Sequence, residues 1–251
     1  MGVFDFPPLT MPVKPSKMTS PPKAFGADPP SGAGDPIAAR LRGFGPVVIL
    51  AILIILAGNF LVAPFSAILA LVWVRLSRTP WREIGYVQPK NWILSITIGI
   101  VFGCVFKLGM KAIVMPLLGA DPINQAYHYL AGNTAALPGM ILTLIIVAGF
   151  GEETVFRGWM FERFGKLFGS SVGARTLIVL VTSVWFGLLH YKEQGLAGVE
   201  QAIITGLVFG TIFAIRRRIF MLMVAHAAFD LMALAIIYWD IESAVAHLIF
   251  K

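Results

Sequence analysis

Glu152 and Glu153 stand side by side in the stretch Gly-Phe-Gly-Glu-Glu-Thr-Val-Phe-Arg, residues 149 to 157, directly after an apolar run from Leu137 to Phe150. An ionised carboxylate carried into or beside a membrane costs several kcal/mol, so a pair of them points to a use. On a helix Glu153 and Arg157 are spaced i, i+4 with the acid N-terminal, the better orientation for an ion pair. Glu152 would point about 100° away around the axis, free for chemistry. The competing reading is a solvated helix end, which Arg157, Glu162, Arg163 and Lys166 just downstream would suit. Three more polar residues interrupt apolar runs: His190, His226 and Asp230. His226 and Asp230 share a helix face at i, i+4, and Phe186 lies four residues before His190. Two chemistries fit this set. A carboxylate and an imidazole can share a water and act as its general base, with a second His and an Asp holding the oxyanion of a tetrahedral intermediate. Alternatively, two His and a Glu can ligate zinc and leave one position open for water.

The elements that would position these residues are membrane helices. The chain is 57% hydrophobic and 13% charged, with a mean hydropathy of +0.81, outside the usual balance of a soluble domain. The expected fold class is all-α, a polytopic transmembrane bundle of about six to eight helices around an intramembrane polar site. The net charge of +7 lies in clusters between apolar runs, which marks cytoplasmic loops and favours anionic lipid over nucleic acid as partner. Cys104 is the only cysteine, so an intrachain disulfide is excluded and a packing role is expected.

Residues 1–40 are Pro-rich and read as a disordered tail without the apolar stretch of a signal peptide, held in the cytoplasm. Residues 41–136 supply N-terminal membrane helices and an interfacial loop. Phe44 to Val74 carry no charge, which is too long for one span of ~20 residues and too short for two. Gly58, Asn59 and Pro64 suggest a hinge. Trp92 to Leu118 is the next span, with Gly99 and Gly103 as a small-residue pair. Its Lys107 and Lys111 are expected to snorkel to the outer surface rather than face a cavity. Residues 137–239 form the catalytic helices, with Gly206 and Gly210 repeating the small-residue spacing, and 240–251 a short tail. Lys and Arg gather before 43, at 75–90, at 157–175 and at 216–218, whereas 119–136 has none. A hairpin over 44–74 puts every basic cluster on the cytoplasmic side. Taking Trp159 as the basic-side surface, Glu152 lies about 10 Å inside and His226 about 12 Å inside at 1.5 Å per residue. The turn at 169–173 brings His190 level with them.

Glu152 to Arg157 matches the pattern EExxxR, Phe186 to His190 matches FxxxH, and His226 to Asp230 matches HxxxN/D. In order and context these motifs resemble the CAAX protease and bacteriocin-processing family, also called Abi, over about 137–239. The resemblance implies an intramembrane endopeptidase related to the Ras-converting CAAX prenyl protease, in the cell membrane of a bacterium. Its substrate would be a peptide or a lipid-modified protein. It implies that Glu152 and His190 activate water, that His226 with Asp230 holds the oxyanion, and that Glu153 and Arg157 support helix packing. No cofactor is favoured, and a zinc-dependent version of the same protease is the alternative. Asp230 stands where the CAAX enzymes have Asn, although Asp occurs in bacterial members. Readings from other classes are a non-enzymatic membrane protein in bacteriocin immunity and a transporter.

Overall fold

The computed structural model describes residues 35–61 and 63–250, among which there is helix and no strand. Most of the expected N-terminal tail lies outside the described residues. Its last part does not: Pro36–Arg42 form α1, started by Asp35, whose carboxylate accepts from the backbone N–H of Ile37 and Ala38. Helices α2 (Pro46–Leu61) and α3 (Ala63–Leu76) follow. Ser66 Oγ donates to the Ile55 carbonyl at 2.8 Å, although in one straight helix these residues would stand about 16 Å apart. The chain therefore folds back on itself. At the other end Arg42 Nε donates to the Ser77 carbonyl at 2.8 Å, and Arg78 pairs with Asp35 at 3.0 Å. The segment is a hairpin with both ends on one side.

A 3₁₀ turn, Trp81–Ile84, and Gly85 at φ +82° lead to α4 (Trp92–Leu117), whose N-cap Asn91 accepts from Leu94 N at 2.9 Å. Then come α5 (Leu137–Phe168), α6 (Val172–Leu189), α7 (Tyr191–Arg216) and α8 (Phe220–Tyr238). These five are long and apolar enough to cross a membrane, and the bent pair Pro36–Arg42 and Pro46–Gly58 would make a sixth. Ile93, Val105 and Val172 are exposed on their outer faces, as lipid-facing helices require. The chain is an integral membrane protein.

Helix α8 lies at the centre of the bundle because small residues let two neighbours close on it. A Cβ on Gly103 of α4 would sit 2.2 Å from the Ala225 carbonyl, and one on Gly149 of α5 would sit 2.9 Å from the Met223 carbonyl. The expected pair in α7 behaves alike at one position, where Gly206 packs on Ser183 of α6.

Several expectations need correction. Trp159, taken above as the level of the basic-side surface, is 1% exposed within the protein and packs edge-on against Trp73 of the hairpin. Beyond it α5 continues as a buried polar turn, with Arg163 donating to Glu162 and to the Leu41 carbonyl. The polar stretch Lys192 to Gln194, which reads in the sequence as a short loop, forms a helical turn set off from the rest of α7 by Gly195 at φ +63°. Residues 240–251 are not an idle tail, since Glu242–Ala246 form α9 and Glu242 is 2% exposed.

Candidate active site

Helix α5 departs from regular α geometry where the acids stand. Leu144–Glu152 and Thr154–Trp159 are π-helical, a wider turn that tends to occur at functional positions. Thr154 Oγ1 donates to the Phe150 carbonyl at 2.7 Å and meets the Tyr86 hydroxyl at 2.8 Å, tying the altered turn to the loop before α4. The wider turn lowers the angle between neighbouring side chains, so both acids reach the same imidazole. His226 Nδ1 donates to Glu153 Oε1 at 2.8 Å, and His226 Nε2 lies 3.6 Å from Glu152 Oε2. Asp230 Oδ2 approaches the same Nε2 from one turn along α8, at 3.5 Å. Glu153 is fully buried and also paired with Arg157 Nη1 at 2.8 Å. Glu152 and Asp230 keep side-chain exposures of 21% and 22%, so these two can meet a substrate and Glu153 cannot.

His190 reaches the group differently. It caps α6, and its Nδ1 donates to the Phe186 carbonyl at 2.8 Å, satisfying one of the orphan carbonyls of the helix end. A carbonyl only accepts, so Nδ1 is the donor here and Nε2 is the ring nitrogen left for other partners. Among the described residues His190 makes no contact under 4.0 Å with a carboxylate, yet it is within electrostatic range of Glu152 and Asp230. Phe186 is the hub between them. Its ring lies 4.8 Å from that of His190, 5.9 Å from that of His226, and 4.7 Å from the Arg157 guanidinium.

The family model described as Rce1-like, type II CAAX prenyl endopeptidase Rce1-like, matches residues 134–232. Over these residues the chain is similar to that family. No curated protein and no solved structure gave a match. The Rce1-like match spans α5 to α8 and contains Glu152, Glu153, Arg157, Phe186, His190, His226 and Asp230. Members are CAAX prenyl endopeptidases, so the chain is a protease, a hydrolase of peptide bonds that acts on a peptide or protein.

The structure adds one residue and one contact that spacing alone did not give. Phe209 of α7 is fully buried and presents its ring edge-on, 5.7 Å from that of His226. Glu153 was expected to pair with Arg157 alone and instead also holds His226. Neither contact has a signal in the sequence, because each joins separate helices. Zinc requires several donors about 2.0–2.3 Å from one point. Among the described residues no three His, Cys, Asp or Glu side chains are so placed. The Nδ1 atoms of both His residues are engaged, which leaves Nε2 as the second ring nitrogen of each.

Proposed function

We propose that the chain is an intramembrane endopeptidase whose water is activated by Glu152 together with His190. Glu152 takes a proton from water, whose oxygen attacks the scissile carbonyl. The electron pair moves to the carbonyl oxygen, where His226 Nε2–H, anchored through Nδ1 by Glu153, donates to the oxyanion. Asp230 orients that imidazole from the same helix face. Collapse of the intermediate breaks the C–N bond, and the proton held by Glu152 or His190 passes to the leaving amine. The observation that carries this reading is the convergence of Glu152 and Asp230 on one imidazole nitrogen whose partner nitrogen is fixed by a buried, arginine-paired carboxylate.

On this reading the reaction takes place in the cytoplasmic half of the membrane. His226 lies about 9 Å along α8 from Phe220 at the basic end and about 18 Å from Tyr238 at the other. Lipid surrounds the helices, and a lipid-modified peptide approaching along the membrane suits the site. The test uses purified protein with farnesylated and unmodified peptides, cleavage being located by mass spectrometry. Glu152→Gln retains the wild-type melting curve and loses about 10²–10⁴-fold in turnover, because an amide does not accept the proton. Near-normal turnover in this variant overturns the general-base role. A strong chelator leaves activity unchanged; full inhibition reversed by added zinc supports the metalloprotease reading instead.

A further inference from the structure

Lys107 and Lys111 do not snorkel. They are 7% and 9% exposed and line a cavity of about 480 Å³ between α4, α7 and α8, a size suited to a small ligand or a piece of a larger one. The two ammonium groups are treated unequally. Lys111 is 3.2 Å from Glu242 Oε1, a carboxylate that also accepts from Asn124 N at 2.9 Å. Lys107 has only neutral direct partners, the Gln201 amide oxygen at 2.9 Å and the face of the Phe229 ring at 4.8 Å. Among the described residues no carboxylate lies within 4.0 Å of it. A desolvated ammonium without a close counter-charge is costly, and here it lines an open cavity.

The cavity begins about one helical turn beyond Asp230 along α8. His226, Asp230, Ala233 and Ile237 fall on one face of α8, and the last two line the cavity, as does Glu193, three residues past His190. Asp230 lies within electrostatic range of Lys107. Lys107, Lys111 and Glu242 all lie outside residues 134–232, so the family match does not speak of them.

We propose that this cavity is a subsite for a carboxylate on the substrate, with Lys107 as the positioning residue that binds it. The proposal rests on the protease reading for its substrate, since a peptide with its scissile bond at Glu152 and His226 extends one end along α8 into the cavity. A peptide offers the anion from two sources, the terminal α-carboxylate or an acidic side chain.

The experiment compares three forms of one farnesylated CAAX peptide: the free acid, the C-terminal amide, and the amide with Glu as its last residue. Dissociation constants are measured on Glu152→Gln protein, which does not turn over, and kcat and KM on the wild type. The amide is expected to bind at least tenfold more weakly than the acid and to raise KM with kcat little changed. Lys107→Met abolishes the difference and Lys107→Arg preserves it. Recovery of affinity by the added Glu assigns the subsite to a side chain, and failure to recover assigns it to the α-carboxylate. Equal affinity for acid and amide overturns the subsite, and that comparison needs no Lys107 variant to fold. Cleavage without discrimination removes the subsite and keeps the protease, whereas discrimination in binding without any cleavage does the reverse.

Discussion

One imidazole meets three carboxylates, and the role of each carboxylate follows from what else it touches. Glu152 and Asp230 are partly open and reach Nε2, whereas Glu153 is closed in with Arg157 and holds Nδ1. Glu153→Gln therefore has two effects. Removing one partner of a buried pair costs about 3–5 kcal/mol, read as a lower melting temperature in detergent, and the loosened His226 lowers kcat in the fraction that remains folded. Loss of stability with unchanged kcat would return Glu153 to a packing role alone. The Glu153–Arg157 pair was legible because it lies within one helix, at i, i+4. The Glu153–His226 bond was not, since regular helix geometry pointed Glu152 away from Glu153 and gave no sign of the π turn. A second titratable contact sits in the loop after α4. Burial, then the Glu193 carboxylate that its hydroxyl contacts at 3.2 Å, raises the Tyr127 phenol above its ordinary value. A raised acid favours the neutral form in the folded protein, so this contribution to stability is intact below about pH 10 and is lost as pH rises through the folded value. Tyr127→Phe should remove the latest component of the ultraviolet absorbance titration of the tyrosines.

At the scale of elements, the site depends on how closely α4 and α5 approach α8. Gly99 and Gly103 announced a close neighbour by their spacing, but the sequence did not say that the neighbour was α8, nor that Gly149 does the same from α5. Which helices meet is a tertiary fact that small-residue spacing leaves open. Gly103→Ala places a methyl group against the Ala225 carbonyl, backbone that moves only if the helices part. Overpacking of this kind costs about 1–3 kcal/mol, and because Ala225 precedes His226 the variant should also raise KM or lower kcat. Gly109→Ala is the control on the same helix, where an added Cβ meets nothing within 4 Å. Equal melting temperatures for the two variants would sink this account of α4–α8 packing. The hairpin was legible as a break near Gly58 because a charge-free run of that length fits neither one span nor two. Its function as a cover for α5, with Trp73 against Trp159, was hidden in an apolar run that has no pattern.

The whole molecule has a basic end and an end without Arg. Arg42 meets the Ser77 carbonyl, Lys166 meets Glu83, and Arg217 is within electrostatic range of Arg175, so four basic segments remote in sequence gather together. The opposite end is built from the 119–136 loop, the turn at 191–194 and α9, with Asp121, Glu193 and Glu242 at the Lys107 cavity. Five crossings from α4 to α8 carry the chain between these ends, and the hairpin adds none to the parity because it returns to its starting side. An excess of Lys and Arg marks the cytoplasmic side, so the basic end should be cytoplasmic and the cavity should open toward the external end. Accessible positions are needed to test this. Ile84, although in a basic segment, is 1% exposed and a cysteine there would be silent on either side. Arg82 is exposed and Tyr129 is 59% exposed. In a Cys104→Ser background on intact cells, an impermeant thiol reagent should label Tyr129→Cys and leave Arg82→Cys unlabelled until the membrane is opened. The reverse pattern would invert the protein and place the Lys107 subsite on the cytoplasmic side. Labelling of both before lysis would mean that the hairpin ends do not share a side, against the Arg42–Ser77 contact.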